Sequence, residues 1–263
     1  MKKVLRKIPF SISILWLPYL FLLRIVPMQK IVLYIFMMLT IHELAHILIA
    51  RLFHYPIRKI IIYPFGLAAQ ISYIGYVSQR YGSLIKETLI LAAGPFTHML
   101  QPMLLSFLYQ QGVLSLAFYT YLLQINAALL VFNLLPIYPL DGARLLQNFL
   151  HCFFPFQTAN RICYFGSFLL LLFFMCSSFC KGISMWLLCI CLLCEQYVAW
   201  KNLPCDTLRF YHYRLLHPIP YPPLFHEHHD LYRGRYNILK CSRGWLKEEE
   251  GMKSYFFENR SRR

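Results

Sequence analysis

Long runs of apolar residues determine what this chain can fold into, because each is long enough to cross a lipid bilayer. A helix needs about 20 apolar residues to span roughly 30 Å of hydrocarbon. The runs lie at approximately residues 9–27, 31–53, 84–109, 113–135, 163–180 and 182–200. With 58% hydrophobic and only 14% charged residues, neither a soluble globule nor a disordered chain is expected. The sequence predicts an all-α polytopic membrane protein with about six transmembrane helices.

The distribution of Lys and Arg predicts the orientation of these spans. With six crossings both termini lie on one side, and cytoplasmic flanks collect positive charge. If the N terminus is cytoplasmic, 11 of the Lys and Arg residues outside the tail lie on cytoplasmic segments and three on the other side. Residues 201–263 add 12 more and form a small, basic cytoplasmic tail. Topology and contact with the lipid bilayer account for this charge, so nucleic-acid binding is not expected.

A short β-hairpin is predicted after the second span. Residues 55–80 contain Pro and Gly among β-branched and aromatic residues, and strands are predicted at 60–64 and 70–77. Open strand edges cannot face lipid, so the hairpin must lie at the membrane interface or against protein. One of its edges is then available for pairing with another strand.

Three ionisable residues occur together in the middle of the second span, as His42-Glu43-Leu44-Ala45-His46. Helix positions four apart differ by about 40° around the axis, so both imidazoles face one point. This is the H-E-x-x-H arrangement, in which the imidazoles ligate zinc and the Glu takes a proton from water that the metal activates. A polar helix-packing cluster is the alternative, but each ionisable group inside a span costs about 2.5–3.5 kcal/mol on insertion scales. A bound metal would offset that cost.

A third protein ligand must come from elsewhere, because catalytic zinc usually has three protein ligands and one water. Acidic and histidine residues in or near the other spans are the candidates. They are Glu87, His98, Asp141 and Glu195. Glu87 and Glu195 lie towards the cytoplasmic ends of their spans, where their side chains can reach water. A lone histidine such as His98 on an apolar helix is more often a packing residue.

Asp141 follows the fourth run in a segment that cannot continue a helix. Pro136 and Pro139 precede it and Gly142 follows it. A broken helix at membrane depth is tolerated only beside a protein-lined or wet cavity. This favours Asp141 over the other candidates, with an ordinary turn after a span as the alternative.

The two motifs together resemble the site-2 protease family of intramembrane zinc metalloproteases. The motifs are His42-Glu43-x-x-His46 and Asn-x-x-Pro-x-x-Pro-x-Asp-Gly at 133–142. Two shorter segments, 93–95 (Ala-Gly-Pro) and 64–66 (Pro-Phe-Gly), are also similar to family features. The resemblance covers residues 1–200 and is strongest to sporulation members of the family. It implies a zinc metalloendopeptidase domain in which one zinc ion is held by His42, His46 and Asp141, with Glu43 as general base.

The same resemblance implies substrate-binding residues. Asn133 and Pro136 would help to hold the substrate backbone, and the hairpin around Phe65 and Gly66 would offer an edge for strand addition. Only extended backbone can be cut by such a site. Helix-breaking residues near the cleavage site are therefore expected to promote cleavage.

A membrane-associated pro-protein is the substrate class that the resemblance implies. Sporulation members cleave the precursor of the sigma factor sigma-K and are inhibited by small membrane proteins of the sporulation system. The resemblance also implies a location in the mother-cell membrane around the forespore, and it leaves a homo-oligomer open.

The tail, residues 201–263, departs from these sporulation members. They carry a nucleotide-sensing CBS domain after the last span, and residues 206–263 are too few for a pair of CBS motifs. At most one degenerate half fits, which argues against ATP binding by the tail. Residues 226–229 (His-Glu-His-His) match no structural zinc spacing, so a solvated loop is predicted there.

Three other functions are compatible with the same residues. A proton- or metal-coupled carrier could use the intramembrane His, Glu and Asp groups, but carriers commonly show two related halves and no internal repeat is visible here. A membrane peptidase resembling the prenyl-protein proteases would take its third ligand from a Glu on a later helix. An inactive binding protein is disfavoured by the presence of Glu43.

Overall fold

A computed structural model of the chain is mostly helical. It describes residues 10–12, 29–55, 57–63, 66–71, 84–177, 182–216, 223–227, 230–241 and 244–251. The helices are α1 Gln29–Leu52, α2 Leu84–Gln110, α3 Leu116–Leu134, α4 Asp141–Leu150, α5 Phe156–Cys176 and α6 Ile183–Leu216. The strands are β1 Phe10–Ile12, β2 Ile57–Tyr63, β3 Gly66–Ile71, β4 Pro223–His226, β5 Tyr236–Cys241 and β6 Gly244–Lys247.

Four of the described helices, α1, α2, α3 and α5, are long and apolar enough to cross a membrane. Three of them match the predicted spans at 31–53, 84–109 and 113–135. The helix α5 begins at Phe156, earlier than the predicted start near residue 163. Large apolar side chains on their outer faces are exposed, among them Leu48, Met103, Val131 and Phe173. Helices that are apolar on all faces are typical of an integral membrane protein.

The first and sixth predicted spans are not among these four helices. In the first, residues 10–12 form β1, which pairs in parallel with β2, and the rest of that run lies outside the described residues. A strand satisfies the backbone groups of residues 10–12 through its neighbour, where a helix would have satisfied them internally. The sixth run lies within α6, which continues beyond residue 200 to Leu216.

The chain divides into two compact units. One comprises Met1–Ile74 and Ile85–Leu134, and the other comprises Gly75–Leu84 and Leu135–Arg263. The division into domains at residue 200 stays a prediction, and α6 is continuous through that position.

The first unit contains the predicted hairpin within a sheet of order β1-β2-β3. Strands β2 and β3 are antiparallel, with Tyr63 opposite Gly66. The second strand begins at Gly66, earlier than the predicted 70–77, because its backbone pairs with β2 from that residue onward. Residues 72–77 lie outside the described residues. A slip of one residue would reverse the face to which every side chain points. Strand β3 packs against α1, whereas the position of the hairpin at the membrane interface stays a prediction.

The C-terminal end of α1 determines how the chain leaves it towards β2. The N–H of Tyr55 donates to the Ala50 carbonyl at 2.8 Å, and the N–H of His54 donates to the Arg51 carbonyl at 2.9 Å. His54 has a φ of 63°, which completes a Schellman motif. Tyr55 is buried against Ala50 and Ile90, so the helix end is fixed by packing as well as by hydrogen bonds.

The helices of the first unit share an apolar core. Its buried members are Met38, Leu105, Leu114 and Leu122. A polar contact reinforces it, since Gln101 Nε2 in α2 donates to the Met38 carbonyl in α1 at 3.1 Å.

The second unit contains α4, α5, α6 and a sheet of order β4-β5-β6. Strand β4 is parallel to β5, which is antiparallel to β6. A buried cluster joins this sheet to the helices and consists of Phe156, Phe210, Tyr211, Leu231 and Leu239. The described part of the tail is therefore folded onto the ends of α5 and α6, and the fold class is helical with two small sheets.

The predicted solvated loop at 226–229 is wrong for His226. This residue ends β4 and is buried, and its Nε2 lies 2.9 Å from Asn237 Oδ1 in β5. Pairing of β4 with β5 buries the imidazole, which the spacing of the residues alone could not indicate. Residues 228–229 lie outside the described residues.

Candidate metal centre

Helix α1 brings His42 and His46 together on one face. They are four positions apart, and both are buried, at 5% and 6% exposed. Their Nε2 atoms are 3.1 Å apart. Two imidazole nitrogens bound to one tetrahedral zinc at about 2.0–2.1 Å would be roughly 3.3 Å apart. The pair therefore has the separation that binding to one zinc ion requires.

A backbone carbonyl fixes the tautomer of His46. Its Nδ1 lies 2.7 Å from the carbonyl oxygen of Ile90 in α2. A carbonyl can only accept, so Nδ1 donates and the lone pair of the neutral ring is on Nε2, the atom next to His42. Metal-binding histidines usually form such a bond through their second nitrogen.

Gly94 in α2 leaves space beside the two Nε2 atoms. A Cβ atom added at Gly94 would lie 2.2 Å from His46 Nε2 and 2.6 Å from His42 Nε2. Real Cβ atoms do not approach other atoms this closely, so any side chain would displace the imidazoles. Buried nitrogen donors next to a space without a side chain fit a metal with the ligand preferences of zinc.

Glu43 follows His42 directly and is half-buried. In an α-helix it points about 100° away from His42 around the axis, within the turn that also carries His46. Helix geometry therefore places the Glu43 carboxylate beside the row of side chains that contains both imidazoles, and not within that row. That is the position the H-E-x-x-H pattern requires for a base.

Asp141 is the first residue of α4, in the second unit. The chain before it is held by side chains from α5 and α6. Ser167 Oγ donates to the Pro136 carbonyl at 3.0 Å, and Gln196 Nε2 donates to the Tyr138 carbonyl at 3.3 Å. The predicted break in the helix before Asp141 is therefore confirmed, and the broken segment has fixed hydrogen-bond partners.

Among the residues that the structure describes, His42 and His46 of the first unit and Asp141 of the second make up a group in which each residue offers one potential ligand atom for a metal ion. Glu87 and Glu195 are not in this group. Glu195 is exposed, as expected near the end of a span. Glu87 is only 1% exposed, so the expectation that its side chain reaches water is wrong.

His98 is a buried packing residue, as predicted, but it packs on the candidate centre. Its Nδ1 lies 2.8 Å from Asn126 Oδ1 in α3, and its ring lies 5.1 Å from the ring of His42, centroid to centroid. No sequence pattern indicated Asn126, because a single Asn in an apolar helix belongs to no motif.

The structure describes three of the four predicted substrate-binding residues. Asn133 is half-buried near the end of α3, and Pro136 is exposed. Gly66 is the first residue of β3, and Phe65 lies outside the described residues. Their roles stay predictions.

Comparison with known proteins finds a similarity to one peptidase family. Residues 108–174 match the description "Peptidase family M50". We refer to residues 108–174, about a quarter of the chain, as the M50 segment, after the family to which they are similar. The M50 segment includes Asn133, Pro136 and Asp141, but the H-E-x-x-H pattern lies before it.

Two similar proteins extend the M50 comparison. Stage IV sporulation protein FB of Bacillus subtilis (strain 168) is 29% identical over 136 residues, which are 51% of this chain and 45% of that protein. The match therefore covers less than half of the sporulation protein. The solved structure of the Site-2 Protease from Methanocaldococcus jannaschii has a TM-score of 0.54 and 22% identity, covering 75% of this chain and 92% of that chain. This second likeness concerns the fold.

Proposed function

We propose that this chain is an intramembrane zinc metalloprotease that cleaves a membrane-associated pro-protein. The observation that carries the proposal is the pair of buried Nε2 atoms of His42 and His46, 3.1 Å apart, beside the space at Gly94. The M50 segment and the similarity to the sporulation protein support the same reaction class.

His42, His46 and Asp141 would hold the zinc ion. Each supplies a nitrogen or oxygen donor of the kind found in catalytic zinc sites with three protein ligands. When bound, zinc would act as a Lewis acid that lowers the pKa of water and polarises the scissile carbonyl.

Glu43 is the proposed general base. Its carboxylate takes a proton from the attacking water and then returns a proton to the amine that leaves when the peptide bond breaks. The half-buried position of Glu43 on α1 supports this role, because water must reach the carboxylate while bulk solvent is limited.

The edge of β3 is the proposed docking site for extended substrate. Among the strands that the structure describes, β2 is paired on both sides and β3 on one, and β3 packs against the helix that carries His42 and His46. Backbone pairing at this edge would keep the substrate extended. Asn133, Pro136, Phe65 and Gly66 would complete the binding site.

The proposed substrate is a precursor of the sigma-K type, with small membrane inhibitor proteins as regulators. The name of the Bacillus subtilis relative, Stage IV sporulation protein FB, supports a role in sporulation. Both termini would be cytoplasmic, in keeping with the distribution of Lys and Arg, and the membrane would be that of the mother cell around the forespore.

Coexpression with a sigma-K-type precursor tests this proposal. The size of the precursor is followed by immunoblot for the unaltered protein, for Glu43→Gln and for Glu195→Gln, an exposed acid on α6 that serves as a matched control. Bound zinc is measured in all three purified proteins. We expect zinc in all three and cleavage in all but Glu43→Gln.

Each other outcome identifies the part of the proposal that fails. Absence of zinc from every protein would reject the metal centre, and the 3.1 Å contact would then be a hydrogen bond between two histidines. Cleavage by Glu43→Gln at the normal rate would reject its role as base. Zinc without cleavage by any protein would reject this precursor as the substrate.

A further inference from the structure

His98 and Asn126 form a reciprocal pair between α2 and α3. The Nδ1 of His98 lies 2.8 Å from Asn126 Oδ1, and Asn126 Nδ2 donates to the backbone carbonyl of His98 at 2.7 Å. The two residues are 1% and 3% exposed. The first bond holds the imidazole, and the second holds the Asn126 amide that it contacts.

The pair also defines the tautomer of His98. The Nδ2 of Asn126 must face the His98 carbonyl, because a carbonyl only accepts, and this directs Oδ1 towards the ring. An amide oxygen only accepts as well, so Nδ1 of His98 carries the proton. The neutral ring therefore has its lone pair on Nε2 and its orientation set by Asn126.

His98 in turn lies against the candidate ligand His42. Their ring centroids are 5.1 Å apart with an interplanar angle of 45°. On another side, His42 meets the ring of His46 edge-on, at 4.8 Å and 81°. Rotation of the His42 ring towards either of these rings would require that ring to move. His46 is held by the Ile90 carbonyl, and His98 is held by Asn126.

We propose that His98 is a positioning residue for the metal centre, which orients His42 as a ligand through ring contact and is itself held by Asn126. This inference rests on the proposed zinc site. The two ligands on α1 are then oriented in different ways, because a backbone oxygen orients His46 and the pair of His98 and Asn126 orients His42. Partners outside the ligand shell commonly affect metal affinity by about 10–100-fold.

Two variants separate ring contact from hydrogen bonding. In His98→Asn the amide replaces Nδ1 as the donor to Asn126, but the ring against His42 is lost. In Asn126→Leu the ring remains and both hydrogen bonds are lost. The control is Thr120→Val on α3, which removes a hydroxyl that is exposed and bonds only to the backbone of its own helix.

The readouts are zinc affinity by chelator competition and the visible spectrum of the Co²⁺-substituted protein, both in detergent, with thermal unfolding measured in parallel. We expect about a tenfold or greater loss of affinity and an altered Co²⁺ spectrum for His98→Asn and Asn126→Leu, and neither for Thr120→Val. A folded His98→Asn protein with normal affinity and an unchanged spectrum would overturn the positioning role. Failure of the unaltered protein to bind either metal would instead overturn the zinc site on which the inference rests.

Discussion

At the scale of single residues, Gly94 is the position where the smallest change has the largest expected effect. Gly94→Ala adds one carbon atom at 2.2 Å from His46 Nε2, so the imidazoles must separate or α2 must move. We expect bound zinc, measured by elemental analysis of the purified protein, to fall below about a tenth of the normal content, since misplaced ligands bind metal weakly.

Gly166→Ala is the matched control for this substitution. A Cβ at Gly166 in α5 meets nothing within 4 Å, and Ala is favoured over Gly in helices by about 0.5–1 kcal/mol. Normal zinc content is expected for Gly166→Ala. If Gly94→Ala kept its full zinc content as well, the space beside the imidazoles would not be the metal position.

His151 gives a prediction on pH at the same scale. Burial lowers the pKa of His151 well below its ordinary value, and the positive charge of Arg233 lowers it further. The unfolded chain therefore binds a proton that the folded chain does not, so this contribution to stability is present above about pH 6.5 and is lost as the pH falls below it.

His151→Phe removes this titration while preserving an aromatic ring against Phe156, which stacks on His151 at 5.2 Å. We expect the melting temperature to fall less between about pH 7.5 and 5.5 for His151→Phe than for the unaltered protein. The comparison uses the same detergent and salt throughout. An equal fall in both proteins would mean that other groups cause the acid sensitivity.

At the scale of elements, a buried ion pair joins the end of α6 to the C-terminal sheet. Arg214 Nη2 donates to Glu248 Oε2 at 2.7 Å, and the same oxygen accepts from the N–H of Asn237 in β5 at 2.8 Å. The Arg214 and Glu248 side chains are 1% and 4% exposed. Removing one partner of such a pair leaves an uncompensated buried charge.

Glu248→Ala should therefore destabilise the second unit by about 3–5 kcal/mol. Thermal unfolding in detergent and limited proteolysis of the tail measure this loss. The control Glu227→Ala breaks an ion pair with Lys240 whose side chains are 71% and 54% exposed, and little change is expected there. Equal behaviour of the two variants would show that the buried pair does not hold the sheet.

At the scale of the whole molecule, the features predictable from sequence were those with a local period or spacing. Apolar runs predicted α1, α2 and α3, because burial in lipid requires about 20 apolar residues whatever the neighbouring helices are. The spacing of His42 and His46 predicted their common face for the same local reason. The break before Asp141 followed from its prolines.

Features that depend on contacts distant in sequence were not predicted. Asn126 meets His98 across two helices, and His226 is buried only because β4 pairs with β5. The strand at residues 10–12 needs β2 as its partner. An apolar run alone cannot distinguish such a strand from the start of a helix.

Metal removal tests whether the metal centre stabilises the whole protein. A ligand that binds only the folded state stabilises it in proportion to the logarithm of its free concentration over Kd, by about 4 kcal/mol at a thousandfold excess. A chelator should therefore lower the melting temperature of the unaltered protein by several degrees and leave His46→Ala unchanged. An equal response of both proteins would indicate that the chelator acts elsewhere.

The bond from His46 to the Ile90 carbonyl has a consequence for how this site tolerates sequence change. Every amino acid supplies the same main-chain oxygen, so the orientation of His46 is encoded by the course of α2 and not by the identity of residue 90. Substitutions there can alter the core, but the acceptor itself is retained. Random mutation should therefore spare this half of the centre, whereas the half that contains His42 depends on the side chains of His98 and Asn126.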